Sequence, residues 1–362
     1  MSRPTMRDVA ATAGVSLMTV SRVVNGEPGV LPETAARVER AIRRLGYQRN
    51  DMARQLRSKG QLTHTIGVLV DDLANPFFAT LAAAVGNAAR VRKYVVLIGS
   101  SDDNLRRERE VISAFCARRV DGLIVCPAAG SHRFLADQLA AGTKVVCTDR
   151  PADGLSVDTV VVDNRNGARG AVRHLLGRGH RRIGYLGDRD DIWTVQERFA
   201  GFLEALAAEG LEPDPALIRH GLQTRDAAAS AAASLTRLPD PPTALFASND
   251  LMTMGAIDGL HARSDSVALV GFDEFALADK LTPQVTVVAQ DPAAIGATAA
   301  QLLFARIDGD TSPPREVVLL TRLVMRGSGE IEPGAPMAGA GGARAGARRR
   351  VAGGGQPLSS GT

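Results

Sequence analysis

The sequence predicts a small all-α head, a charged linker and an α/β core of two parallel-sheet subdomains. Three observations predict it. Within TMRDVAATAGVSLMTVSRVVN (5–25), apolar positions recur at helical spacing on both sides of one glycine. From Thr65 onward, short β-rich apolar runs alternate with helical patterns, as in parallel sheets covered by helices. Charge is unevenly divided: residues 1–60 carry eleven Arg and Lys against five Asp and Glu, residues 331–362 carry four Arg and one Glu, and the stretch between is net acidic.

At 362 residues, 45% hydrophobic and 23% charged, the chain exceeds one ordinary domain and can bury substantial cores. It shows no N-terminal apolar run of signal-peptide length and no apolar stretch of membrane-span length, so a cytoplasmic location is expected. Cys116, Cys126 and Cys147 are odd in number and lie in apolar segments. Buried thiols fit them better than a disulfide or metal site, and no metal or cofactor is expected. A basic head on an acidic body fits a polyanion-binding module carried by something that does not bind DNA.

The head reads as two short helices around a tight turn, then a third. Thr5 followed by Asp8 makes a start like a capping box, and Ser16 is a good N-cap for the second helix. Gly14 falls where the turn needs positive φ, and Ala10 is small enough for the second helix to cross close above it. Pro32 opens the third helix, Glu33 complements its dipole, Val38, Ile42 and Leu45 give its apolar face, and Gly46 ends it. This is a helix-turn-helix, whose second helix fits a DNA major groove.

The stretch VSLMTVSRVVNG resembles the recognition helix of the LacI/GalR family of bacterial transcription regulators, and the resemblance continues to about Gly329. It implies that Leu17 and Met18 occupy positions that vary with operator sequence and that Arg22 reads a base. Arg suits bidentate contact with guanine O6 and N7, whereas Leu17 and Met18 offer only apolar contact, for example to a thymine methyl. Thr5, Ser16, Thr19, Ser21 and Asn25 are short donors suited to phosphates, though Thr5 and Ser16 also cap helices. In relatives the residue before Pro32 is often a Ser that caps the helix and touches a phosphate; here it is Leu31. The linker YQRNDMARQLRSKG (47–60) resembles the family's hinge, which forms a short helix on operator DNA. Asn50 is then its N-cap, Met52, Ala53 and Leu56 share one face, and Leu56 wedges into a central minor-groove step.

Runs at 65–70, 94–99, 122–127 and 144–149 read as strands of one half, with helices near 78–91, 104–117 and 132–141. TVVVD (159–163) leads into a second series, with strands at 182–187, 243–248 and 267–272 and helices near 165–177, 195–209, 226–236 and 250–262. VTVVAQD (285–291), a helix at 292–308 and EVVLLTRLVMRGS (316–328) finish the core. Two such halves resemble a periplasmic-binding-protein-like core, whose ligands lie at strand carboxyl ends. The expected domains are a headpiece at 1–46, a hinge linker at 47–62, an effector-binding and dimerisation core at 63–330 and a disordered Gly/Ala/Arg-rich tail at 331–362. Within the core, 63–162 with 292–320 forms one subdomain and 163–291 with 321–330 the other.

The resemblance places the effector site at Asn75, Phe77, Phe78, Asp149, Arg150, Arg198, Asn249 and Asp273, with Trp193 as a lid or stacking residue. The carboxylates accept from hydroxyls and Arg198 donates in a fork, a set able to clamp vicinal hydroxyls. Asp250 reads either as a pocket residue or as the cap of its helix, and Phe77 and Phe78 either face the ligand or belong to the core. Leu222-Gln223 stands where relatives often carry an aromatic wall. No HExxH, Gly-x-Ser-x-Gly, P-loop or nucleophile–base pair is visible, so no enzyme is expected. The resulting expectation is a homodimeric, ligand-controlled repressor of operator DNA, without membrane contact, whose effector is a sugar or sugar derivative. The alternatives are a nucleoside effector, an activator role and, more remotely, a sugar-modifying enzyme.

Overall fold

The structure is a computed structural model that describes residues 4–47, 62–261 and 267–334. The hinge residues Asn50, Met52, Ala53 and Leu56 and most of the tail lie outside these. The chain divides into two compact units, Met1–Thr63 and His64–Thr362.

The first unit holds α1 (Met6–Ala13), α2 (Leu17–Asn25) and α3 (Pro32–Leu45). Local chemistry sets each boundary. Thr5 accepts from the Asp8 N–H while the Asp8 side chain accepts from the Thr5 N–H, a complete capping box. Gly14 closes α1 at φ 64°, where its N–H reaches back to Ala10 and Ala11. Ser16 then starts α2 by accepting from the Thr19 N–H at 3.1 Å. Leu31 gives α3 no side-chain cap; Pro32, which has no N–H to satisfy, opens it. Val9, Val20 and Val38, one from each helix, are wholly buried and meet in one cluster with Ala41. Each such burial contributes roughly 1.5–3 kcal/mol, enough to hold helices that would be marginal alone.

The second unit contains two six-stranded sheets. One is ordered β11 (Glu316–Leu319), β5 (Asp158–Val162), β4 (Lys144–Thr148), β3 (Gly122–Val125), β1 (Thr65–Val70), β2 (Val95–Ser100), with every pairing parallel. The other is ordered β12 (Arg322–Val324), β10 (Thr286–Ala289), β9 (Ala268–Phe272), β8 (Ala244–Ala247), β6 (Ile183–Leu186), β7 (Ile218–Arg219). There β12 runs antiparallel to β10. The apolar stretch beginning at Glu316 is thus divided, its first strand in one sheet and its second in the other. The two-residue β7 offers too short a pattern to be read from sequence.

Helices cover both faces of each sheet. In the first half, α4 (Pro76–Val91) and α11 (Pro292–Ile307) share a core with β1 and β5 through Leu81, Val85, Ile295 and Leu303. On the opposite face, α5 (Leu105–Ala117) packs Ile112 and Phe115 against Leu69 and Leu123, and α6 (Leu135–Ala140) adds Leu135. The second half sets α7 (Asn164–Gly177) and α8 (Trp193–Ala208) on one face and α9 (Arg225–Leu235) and α10 (Asp250–His261) on the other. Close helix approach here depends on small residues: a Cβ at Gly201 of α8 would stand 2.2 Å from the Arg165 carbonyl oxygen of α7. Three short segments carry the chain between halves, around Asp163, Gln290–Asp291 and Leu320–Thr321. Two of them are joined, because Asp163 Oδ1 accepts from the Thr321 N–H at 2.7 Å.

Candidate functional site

In the head, Leu17 and Met18 are 46% and 66% exposed at the start of α2, immediately after its cap. Arg22 is exposed, with its guanidinium near Gly29. Val20, which lies between these residues in sequence, is fully buried, so one helix gives a core face and a solvent face. Ser16 is engaged with Thr19, its hydroxyl 2.9 Å from the Thr19 hydroxyl, and the Asn25 amide donates to Ser21 at 3.3 Å and Glu27 at 3.1 Å. These short polar residues are therefore held before any partner arrives.

In the core, a cleft of about 170 Å³ opens where the two sheets present their strand carboxyl ends. β1 lies between β2 and β3, and β6 between β7 and β8, so each sheet reverses its strand order there. Asn75, Phe77, Phe78, Asp149, Arg150, Arg198, Asn249 and Asp273 all line this cleft. Arg198 is 4% exposed and held by three bonds: Nε donates to Asn164 Oδ1 at 2.8 Å, and Nη1 donates to the Ser248 carbonyl at 2.6 Å and Asp273 Oδ2 at 3.2 Å. Its guanidinium carbon stands 3.7 Å from the Phe272 ring centroid, a cation–π contact that orients the fork. Arg150 is held alike, by Asp149 at 2.9 Å and Asp103 at 3.3 Å.

Several expected residues play a narrower part than the sequence reading gave them. Trp193 does not line the cleft; it lines an adjoining hollow of about 270 Å³ that shares Arg150 and Ile192 with it. The reason is register: Trp193 is the first residue of α8, and Thr194 and Val195, one and two places on, face the cleft instead. Phe78 belongs mainly to the apolar core of the first half, with Phe77 set edge-on against it at 5.0 Å. Asn249 caps α10, accepting from the Met252 N–H at 2.8 Å, while Asp250 is left toward the cleft, where Asn75 Nδ2 reaches it at 3.5 Å.

Sequence reasoning missed Asp71, Asp188 and Gln290, which also line the cleft. A signal existed for the two acids, since Asp71 and Asp188 each stand just past a β-rich run, at 65–70 and 182–187. Burial, opposed by Arg150, pushes the Asp71 carboxyl up to about 6. Asp250 is likewise raised to about 6, by burial and then by the neighbouring charge of Asp273. Among the described residues, Asn75 to Asp250 joins the halves at this cleft, and Arg189 Nη1 to Asp103 Oδ2, at 3.1 Å, joins them outside its lining. Donors and acid groups from both halves thus line one cleft.

A three-helix reader and a two-sheet core around a polar cleft define a helix-turn-helix regulator with a periplasmic-binding-protein-like core. Residues 5–50 match the model of bacterial regulatory proteins of the lacI family, and residues 172–329 match a periplasmic binding protein-like domain. The chain is similar to the HTH-type transcriptional regulator CelR of Thermobifida fusca, 36% identical over 343 residues covering 90% of this chain and 98% of that one. Among solved structures it resembles a CelR–cellobiose complex at 34% identity and a TM-score of 0.67, over 90% of this chain and 100% of that one. It also resembles the lac repressor dimer bound to operator and the anti-inducer ONPF, at 26% identity and a TM-score of 0.79, over 91% and 99% of the two chains. The chain belongs to the LacI family of bacterial regulatory proteins and is a DNA-binding transcriptional regulator. No helix among the described residues is long and apolar enough to cross a membrane.

Proposed function

We propose that this regulator is a cytoplasmic homodimeric repressor of a pseudo-palindromic operator, released or tightened by a sugar or sugar derivative bound between the core halves. The observation that carries the DNA side is the exposure of Leu17 and Met18 beside Arg22 on a helix whose start is already capped. Exposed apolar residues on so small a unit have no packing role, and they fit contact with thymine methyls beside an Arg–guanine pair. Thr5, Ser16, Thr19, Ser21 and Asn25 would then position the head on phosphates.

On the ligand side, the cleft offers carboxylates and two pre-oriented guanidinium groups, a set suited to hydroxyls. Every Arg in it is engaged by an acid, and a binding role accounts for the whole arrangement without a nucleophile. The cellobiose in the CelR structure supports a sugar, and the dimeric lac repressor supports a homodimer. A ligand that joins the halves differently in two arrangements biases the heads between DNA-competent and incompetent states.

The test is selection of bound duplexes from a random library, with and without panels of sugars and nucleosides. The expected result is one enriched palindrome whose recovery changes with one sugar. No enriched sequence at either low or high salt would overturn the operator reading. A palindrome indifferent to every sugar would overturn sugar control.

A further inference from the structure

We propose that the hollow beside the cleft is a second ring subsite, so that the effector is a glycoside of at least two rings lying across the start of α8. The inference rests on the sugar reading of the cleft and adds the size and shape of the ligand. The two spaces adjoin, with Arg150 and Ile192 in the wall of both, and the hollow, at about 270 Å³, is of a size with the cleft. A single ring clamped by Arg198 and Asp273 leaves it unfilled.

The walls of the hollow have the chemistry of a sugar site. Trp193 is half-buried there and presents an apolar platform of the kind on which the C–H face of a pyranose stacks. The first turn of α8 stands between the spaces, with Thr194 and Val195 on the cleft and Trp193 and Gln196 on the hollow. Its N-cap residue, Ile192, supplies no side-chain bond, which leaves the first-turn N–H groups without a side-chain cap and suited to ligand oxygens between two rings. A further observation comes from another residue of the lining. His132 is 1% exposed, its Nε2 lies 3.0 Å from Glu108 Oε1, and its Nδ1 has no hydrogen-bond partner. A buried polar atom left unpaired is costly, so a small turn of the His132 ring that brings Nδ1 to a ligand hydroxyl would be favoured.

The chain carries a single tryptophan, so intrinsic indole emission reports on this hollow alone. The full-length protein is titrated with glucose, galactose, ribose, cellobiose, maltose and lactose, by calorimetry and by emission. At least one disaccharide is expected to bind ten-fold or more tighter than its component monosaccharides and to shift or quench Trp193. Trp193→Ala should weaken that disaccharide at least ten-fold and leave monosaccharide binding within two-fold, whereas Trp193→Phe should retain most of the affinity. Disaccharide binding that leaves the emission unchanged and tolerates Trp193→Ala would overturn the subsite while leaving the sugar cleft intact. Monosaccharides that bind as tightly as every disaccharide would do the same. If no sugar gives a binding heat, the sugar reading falls and the subsite falls with it.

Discussion

Asp149 and Asp273 occupy matching places, each directly after the strand third from its sheet's outer edge, and each adopts the left-handed backbone conformation, at φ 69° and 73°. The N–H of each donates at 2.9 Å to the neighbouring strand, to the carbonyls of Val160 and Val288. Each carboxylate holds an arginine of the cleft, Arg150 and Arg198. Non-glycine residues bear a cost of about 1–2 kcal/mol there, so the turn is maintained by its surroundings and brings a carboxylate to the cleft.

A pair of substitutions at Asp273 separates backbone from charge. Asn tolerates the left-handed conformation better than Ala does. Asp273→Asn should therefore be more stable than Asp273→Ala by about 1 kcal/mol in urea unfolding. Both should lose sugar affinity at least ten-fold, because Arg198 loses its anionic partner. Equal affinity to the parent in Asp273→Asn would show that the charge is unimportant for the ligand.

Asp158 ties together the outer edge of the first sheet. It accepts from Arg306 Nε at 2.7 Å and Nη2 at 2.9 Å and from the Arg315 N–H at 2.8 Å, joining β5, α11 and the start of β11. Burial opposes its charge, but the bonds from Arg306 and Arg315 outweigh it and bring the carboxyl down to about 2. Its contribution, roughly 2 kcal/mol, is present above the ordinary carboxylate pKa and is lost as pH falls toward 2. Asp158→Asn should cost about 2–3 kcal/mol at pH 7, and unfolding curves of variant and parent should converge as the solution is acidified.

Asp71 has the opposite sign. Its carboxyl is raised to about 6, so the folded chain holds a proton that the unfolded chain has released, and stability declines as pH rises from about 4 to 6. Asp71→Asn should gain about 1–2 kcal/mol at pH 7.5, visible as a higher Tm, and the gain should vanish by pH 4. A loss of stability at pH 7.5 would mean that its attraction to Arg150, 3.7 Å away, outweighs its burial.

The elements defined by local chemistry were legible in the sequence. Gly14, the Thr5–Asp8 box and the Ser16 cap each act within a few residues, so their pattern is their structure. The cleft was legible only in part. Asn75, Asp149, Arg198 and Asp273 were reached through the family resemblance, whereas Asp103 and Gln290 become partners of Arg150 and Asp273 only once strands far apart in sequence are ordered. Trp193 shows the remaining limit. A variable loop before a helix does not reveal which side of the helix its residues will face, and one residue of rotation moves the ring from one hollow to the next.

The head allows stability and specificity to be tested apart. Leu31 is 74% exposed and caps nothing, so Leu31→Ser should stabilise α3 by about 0.5–1 kcal/mol, read as slower amide exchange in the helix beyond Pro32. Exchanging Leu17 and Met18 for polar residues should change stability by less than about 0.5 kcal/mol yet alter the selected duplex sequence. Arg22→Ala should lose about 1–3 kcal/mol of discrimination at one base pair.

The three short passages between the halves make the core a mechanical joint of a particular kind. Links of one or two residues, two of them fastened together by Asp163 and Thr321, resist sliding and tolerate bending. A ligand that fills the cleft is therefore expected to act by bending at these links rather than by sliding the halves. The displacement that such a bend would produce grows with distance from the links, so a shift of one hydroxyl's width at Asn75 and Asp250 would be geared up toward the far end of the first half. The cleft is the short arm of a lever.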